Sequence, residues 1–492
     1  MQEQRIRAEG EWAEGARLRR FLIILTLTWS SHTLGQTHGW AELTKELTAA
    51  QHKANVPAMG LVIMDHNRPA LVSAWGNAIS TQTPFRWGSI SKTFTALALL
   101  RLVEQGKVAL ADPVRQFLPA SAYHNAWATS HPLRLLHLLE LSGGFSDLSR
   151  AEFALNEPLS LAAALALNPT SRTTRWPPGL QSSYTNVNPG LTAAVIEQVS
   201  GKPFEEFVQD EVLAAMDMHA ASFHPVPRLP GGFKADGSTE IPYWHMSFRA
   251  FGGLNASLEE MSRFLTMLLN DGRLGDRTVF TQATLAGLYR PRSGLAAASG
   301  LEIGYGTGAY GWVSQGHVFY GHGGDADGYR SRYGLLPGVG RGYLIVINTD
   351  NRSLLRRLQK SIEGALTADL PATDASTAVA STAVAEPRST LQSYAGDYYP
   401  SSVRFRIERW LAGEAPRANV SLNEQGLIFT RNGRRVRLIS LGAGKFRRPT
   451  DPVATVIFAR DASGALYLQG ELGNFVSLKS APCPAFIPVC DS

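Results

Sequence analysis

The chain has 492 residues, 44% apolar and 18% charged, with a formal net charge of +6. That balance excludes an intrinsically disordered chain and leaves room for two or more domains around a sizeable core. Basic residues are scattered, apart from Arg17-Leu18-Arg19-Arg20 and Arg431 to Arg437, and no aromatic-basic stripe marks nucleic acid as a partner.

Residues 1–35 read as a secretory signal peptide. A basic flank precedes the apolar run Phe21 to Trp29, and Thr33-Leu34-Gly35 supplies a small-residue exit. The run is far shorter than the ~20 residues of a membrane helix. A secreted or periplasmic location is therefore expected, the alternative being an uncleaved anchor. Cys483 and Cys490 would, in an oxidising compartment, close a small Pro-rich loop. With no Cys/His cluster and no His-Glu-x-x-His, neither a metal nor another cofactor is expected.

Trp40 to Lys53 has the pattern of an amphipathic helix. Gly60 to Met64 and Pro69 to Trp75 read as strands joined by the polar turn Asp65-His66-Asn67-Arg68, where His66 is a turn residue without chemistry. Thr93 to Glu104 is an apolar helix ending near Gly106. Further helices are expected at Leu133 to Leu139, Leu161 to Leu167 with Ser160 as its cap, Gly190 to Val199, Phe204 to Met216 and Leu254 to Leu269. Short strands follow at Gly308 to Val313, Val318 to Gly321, Ser331 to Leu336 and Gly342 to Asn348, then a helix from Arg352 to Leu366. Strands at both ends enclosing a helical middle predict an α+β fold. One antiparallel sheet of early and late strands, flanked by helices and carrying a largely helical inserted subdomain, would occupy 36–366.

Residues 367–390 form an Ala/Ser/Thr-rich linker containing the repeat Ser376-Thr377-Ala378-Val379-Ala380 and Ser381-Thr382-Ala383-Val384-Ala385. Residues 391–492 read as an all-β, barrel-like domain, with strands from Val403 to Trp410 through Phe475 to Leu478 and a hairpin signal at Asn432-Gly433.

Three motifs carry chemistry. Ser89 and Lys92 stand three apart at the start of a helix, which puts a hydroxyl and an amine on one face. A developing negative charge on Ser89 would sit in the field of the helix N-terminus. Tyr184-Thr185-Asn186, in extended chain, points a phenol and an amide the same way. Tyr184 near a cation would exchange protons, and Asn186 would orient Lys92 or bind a substrate carbonyl. A similar triplet, Tyr123-His124-Asn125, lies in a polar loop without a preceding Pro-Gly turn and is set aside. In Gly321-His322-Gly323-Gly324-Asp325 the glycines permit close backbone approach, and the N–H groups of Ser89 and Asp325 are candidates for an oxyanion hole. Singly, each motif has an ordinary structural explanation: a helix cap, a buried tyrosine, a glycine turn.

In order and spacing the three resemble the serine β-lactamase and penicillin-binding protein superfamily. The branch is that of class C β-lactamases, D-alanyl-D-alanine carboxypeptidases and family VIII-type carboxylesterases. The resemblance runs from about Val56 to Asn348 and includes Gly252-Gly253-Leu254-Asn255-Ala256-Ser257. It implies that Ser89 is acylated, that Lys92 is its base and Tyr184 a second proton-transfer group, and that Asn186, His322, Gly323, Gly324 and Asp325 face the substrate. The all-β tail looks like the barrel often appended in this branch. Two departures stand out. His322-Gly323-Gly324 replaces the Lys-Thr-Gly of many penicillin-active members, which favours an ester or peptide over a β-lactam, since histidine is mostly neutral at pH 7. Leu141 stands where relatives often carry His, which bears on loop packing. The expected function is a serine hydrolase acting through an acyl-enzyme on a small ester, amide or D-amino-acid peptide, with cell-wall contact. The alternative is a non-catalytic module that binds the cell wall or a partner.

Overall fold

The computed structural model describes residues 39–371, 383–402, 404 and 418–479. The expected signal peptide, most of the linker repeat, the predicted strand from Val403 to Trp410 (Arg404 apart) and both cysteines lie outside the described residues. Residues 39–53 form a helix, α1, in which Thr44 and Thr48 return their hydroxyls to the carbonyls of Trp40 and Thr44.

The remainder is built on a six-stranded antiparallel sheet. Its first strands are β1 (Ala58–Asp65) and β2 (Arg68–Gly76). His66 and Asn67 both adopt positive φ, at 51° and 61°, the geometry of a two-residue turn that matches strand twist. The sheet is completed by four later strands, numbered after the short strands β3 (Pro84–Arg86) and β4 (Asn255–Ser257), which pair with each other. These are β5 (Tyr310–Ser314), β6 (His317–Ala326), β7 (Tyr329–Leu336) and β8 (Arg341–Ile347). The order is β2-β1-β8-β7-β6-β5, so early and late strands meet as expected, with Met59 opposite Ile347.

The helix α2 (Ser91–Glu104) runs through the core and is buried along most of its length. A helix enclosed on all sides needs no polar face, which explains its nearly continuous apolar sequence. Its hydroxyls are satisfied by the surrounding loops. Ser91 donates to the Gly88 carbonyl at 2.7 Å, Thr93 to Gly308 at 2.7 Å and Thr95 to Ala250 at 2.7 Å. Beside it packs α3 (Val187–Ser200), and α4 (Leu258–Leu269) lies on β1, with Leu258 filling the space over Gly60. The expected helix from Leu254 begins only at Leu258, because Asn255–Ser257 pairs with β3 and Ser257 then caps the helix through the Glu260 N–H. A last helix, α5 (Arg352–Thr367), covers the sheet.

The C-terminal region is a closed, up-and-down barrel of eight antiparallel strands, β9 (Gly396–Pro400), β10 (Ala418–Asn423), β11 (Gly426–Arg431), β12 (Arg434–Gly442), β13 (Lys445–Arg447), β14 (Val456–Arg460), β15 (Leu466–Gly470) and β16 (Phe475–Ser477). Alternate side chains, among them Tyr398, Phe429, Phe446, Phe458 and Phe475, fill its interior. Asn432-Gly433 forms the expected hairpin loop between β11 and β12. The barrel docks on the segment before Tyr184: Gln181 exchanges two hydrogen bonds with Ser401, at 2.6 and 2.8 Å, and Asn474 donates to the Ser182 carbonyl at 2.7 Å.

Candidate active site

Ser89 sits in a single 3-10 turn, Gly88–Ile90, that leads into α2. The turn is pressed against β6 backbone to backbone. Gly88 has a φ of 54°, and a Cβ there would meet the Asp325 backbone at 2.8–2.9 Å. A Cβ on Gly324 would lie 1.9 Å from the Trp87 carbonyl. The two glycines thus let Ser89 and Asp325 approach each other. The Ser89 N–H lies in the first turn, where helix geometry supplies no backbone partner.

Lys92, one turn on, is 3% exposed and gives each ammonium donor a different acceptor. These are Ser89 Oγ at 3.0 Å, Asn186 Oδ1 at 2.7 Å and the Phe251 carbonyl at 3.0 Å. Burial disfavours the charged form and holds the Lys92 pKa well below its usual value, against the pull of the Asp147 carboxylate. A lysine so placed is a base for the hydroxyl it touches.

Tyr184 completes the cluster. Lys92 Nζ lies 4.8 Å from its ring centroid, and the Arg404 guanidinium carbon also lies 4.8 Å from it. A phenol near a cation is expected to lose its proton more easily, but here burial outweighs the cations. Desolvation dominates and pushes the Tyr184 pKa up, with the Ser89 hydroxyl and Arg404 pulling the other way. The resting group is therefore a neutral phenol, suited to giving a proton.

His322 needs a second correction. It was expected just beyond a strand ending at Gly321, yet β6 runs on through all its glycines to Ala326, paired residue by residue with β7. Full ladder pairing overrides the low strand propensity of glycine. His322 is 1% exposed at the cavity wall, and both ring nitrogens are engaged within the protein. Nδ1 is 2.6 Å from the Gly323 carbonyl and Nε2 is 2.9 Å from the Tyr305 hydroxyl. A carbonyl only accepts, so Nδ1 carries the proton and Nε2 accepts from Tyr305. Burial and the Lys92 charge push the imidazole down to about 3. Between pH 6.5 and about 3 the unfolded chain therefore holds a proton here that the folded chain does not. Stability from this group is complete above pH 6.5 and is lost as pH falls, by up to about 1.4 kcal/mol per unit. Urea unfolding at pH 7, 6 and 5 should show a shallower loss in His322→Asn than in the wild type. The pH–rate profile should show no imidazole limb from His322 in that range.

Positive charge at the site comes instead from residues the motifs do not contain. Arg332 on β7 stands opposite Gly323 and packs its guanidinium 5.1 Å from the Trp312 ring, and its Nε makes no hydrogen bond among the described residues. The Asp325 carboxylate pairs with Arg352 at 2.7 Å and lies 3.7 Å from Arg330, and all three residues line the cavity.

Asp147 is the other group missed in the sequence. Its carboxylate is 1% exposed, and it accepts the Asn186 N–H at 2.7 Å, the Asn186 amide at 3.2 Å and the Arg404 guanidinium at 2.8 Å. It fixes the amide that fixes Lys92. Its one sequence signal is a lone acid in the small-residue run Ser142-Gly143-Gly144-Phe145-Ser146-Asp147. The set-aside triplet is structural: Tyr123 carries Arg115 over its ring at 4.2 Å, and Asn125 bonds the His131 carbonyl. Leu141 adopts a φ of 52° and its carbonyl receives the Ser183 N–H, so this departure shapes the loop beside Tyr184.

Ser89, Tyr184, Asn186 and His322 all open on one cavity of about 920 Å³, with Phe153, Phe251 and Leu148 as apolar wall and Arg332 and Arg404 as basic wall. That is a size suited to a small organic ligand or short peptide.

The family model for beta-lactamase matches residues 42–364. The chain belongs to the beta-lactamase family. Among sequence relatives, this beta-lactamase family chain is 26% identical over 325 residues to penicillin-binding protein 4 of Amycolatopsis lactamdurans, covering 61% of this chain and 82% of that one. Among solved structures it is similar to the octameric penicillin-binding protein homologue of Pyrococcus abyssi, with a TM-score of 0.54 at 19% identity, covering 89% of this chain and 99% of that one. It is also similar to a beta-lactamase/D-alanine carboxypeptidase of Yersinia pestis, with a TM-score of 0.52 at 20% identity, covering 66% and 99%. Family membership supports a serine hydrolase.

Proposed function

We propose that the chain hydrolyses a small ester, amide or D-amino-acid peptide through an acyl-enzyme at Ser89. The observation that carries this reading is the buried contact of Lys92 Nζ with Ser89 Oγ at 3.0 Å. Neutral Lys92 takes the Ser89 proton as Oγ attacks the carbonyl carbon. The N–H groups of Ser89 and Asp325 receive the oxyanion. Collapse breaks the bond to the alcohol or amine, which leaves with a proton from Tyr184, and Lys92 restores that proton. Water then attacks the acyl carbonyl and neutral Lys92 takes its proton, relayed through Tyr184; collapse breaks the bond to Ser89 Oγ, which takes that proton back from Lys92 as the acid is released.

Arg332 supplies a charge where His322 has none, so substrates that carry a carboxylate, such as peptides with a free C-terminus, fit the basic wall. The penicillin-binding name of the Amycolatopsis relative supports the D-peptide end of this range. A D-amino-acid substrate of the cell wall fits a secreted or periplasmic location, which the N-terminal sequence leads us to propose and which cell fractionation tests. A module that only binds has no use for a nucleophile, a depressed lysine and a phenol in contact.

The test is a substrate panel of nitrocefin, p-nitrophenyl esters and peptides ending in D-Ala-D-Ala, together with fluorophosphonate labelling and peptide mass spectrometry. Labelling of Ser89 is expected, with turnover of an ester or D-peptide exceeding that of nitrocefin. A folded protein that stays unlabelled at Ser89 and turns over none of the panel sinks the proposal.

A further inference from the structure

The residue over Tyr184 comes from the far side of the linker. Arg404 follows β9, yet its Nε donates to Asp147 Oδ2 at 2.8 Å, its carbonyl accepts the Asp147 N–H at 2.7 Å, and its guanidinium covers the Tyr184 ring. The contacts form a chain, Arg404 to Asp147 to Asn186 to Lys92 to Ser89, in which every link is a hydrogen bond of 3.2 Å or less. Nearby, the barrel holds Gln181 and Ser182, the residues that lead into Tyr184.

We propose that the C-terminal region reaches the catalytic apparatus through one residue, Arg404, which positions Lys92 and Tyr184, while the barrel's bonds to Gln181 and Ser182 only dock it. This rests on the serine hydrolase reading and adds to it a residue that the three motifs do not contain. Asp147 without a cation would be a buried carboxylate beside Lys92, and it would hold the lysine in its charged form, which is useless as a base. Arg404 neutralises that carboxylate and fixes its orientation through a directed N–H. The charge also disfavours protonation of Lys92 and eases proton loss from Tyr184. The other titratable and charged groups facing these two are His322 on β6, Arg332 on β7, and Tyr305 and Tyr310, with Asp147 the acid of the set. His322 stays neutral, and burial holds Tyr305 well above its usual range, so the sign of the change is set by Arg404 and Asp147.

The experiment follows fluorophosphonate labelling of Ser89, in which Oγ bonds to phosphorus and fluoride leaves, and hydrolysis of p-nitrophenyl butyrate across pH in the full chain. In Arg404→Ala, kcat should fall about 10²-fold, as for a displaced catalytic group. The limb of kcat/KM that reports loss of the base should move up by about one pH unit, because Lys92 is then more readily protonated. KM for this small neutral ester should hold. Arg404→Lys keeps the charge and should restore the limb more fully than the rate. Ser401→Ala removes a docking bond between barrel and Gln181 without touching the charge, and should retain both. If Arg404→Ala keeps the wild-type rate and limb, or if Ser401→Ala reproduces its losses, Arg404 is only a tether and the inference falls. A wild-type protein that does not label at Ser89 overturns the hydrolase reading itself, and this inference with it.

Discussion

Ser89→Ala should lower turnover by about 10⁶-fold, because deletion of a nucleophile costs roughly as much as deletion of the whole catalytic set. The surroundings predict that little else changes. Lys92 keeps Asn186 Oδ1 and the Phe251 carbonyl as acceptors, and the third donor then faces the cavity, where water replaces the hydroxyl. The melting temperature should stay within a few degrees of wild type, and substrate should still bind. Single-turnover kinetics separates these effects: the burst of leaving group disappears while ligand-induced quenching of cavity fluorescence persists. Retained turnover would place the nucleophile elsewhere.

The second large effect needs no loss of a functional group. Gly324→Ala puts a methyl 1.9 Å from the Trp87 carbonyl and 2.2 Å from Ser331 Oγ. Neither β6 nor the Ser89 turn can yield easily, since Gly324 is paired with Ser331 on β7 and Ser331 itself bonds the Trp87 carbonyl. Overpacking of this kind costs about 1–3 kcal/mol and more where backbone must move. Separation of the turn from the strand also spreads the N–H groups of Ser89 and Asp325, and a displaced oxyanion donor costs about 10²–10³ in rate. Gly323→Ala is the control. Its methyl would meet only the ends of two side chains, the Arg332 guanidinium at 3.2 Å and the Tyr310 hydroxyl at 3.3 Å, and these can shift. Urea unfolding and the rate of Ser89 labelling should therefore separate the two alanine variants, with Gly324→Ala impaired in both and Gly323→Ala in neither.

The contact of Ser89 with Lys92 was legible because helical spacing dictates which side chains share a face, whereas Asn186 reaches Lys92 from the start of α3, in helical rather than extended backbone. The sheet was legible from short strands bracketing a helical middle. The groups that tune the site were not. Asp147 and Asn186 meet across 39 residues and Arg404 and Asp147 across 257, and no local periodicity records contacts of that range. His322 was visible, but its partner Tyr305 was not, so its nitrogens seemed free for a substrate. Strand β9 was missed because Gly-Asp-Tyr-Tyr-Pro carries a weak strand former at each end, and the strand exists only because β10 and β16 flank it.

The pairing of β1 with β8 also bears on when the protein becomes competent during synthesis. Barrel strands pair mostly with their neighbours in the chain, so that part closes through short loops. The sheet must instead bring Met59 to Ile347, a long loop whose entropy is lost before the contact stabilises anything. Ser89 leaves the ribosome early but waits for β6 to supply its facing backbone and for Arg404, later still, to fix Asp147. On this chemistry, a half-made chain exposes its serine without a working base. If Ser89 is acylated as proposed, labelling of chains arrested at different lengths should begin only once β6 and Arg404 have both been made.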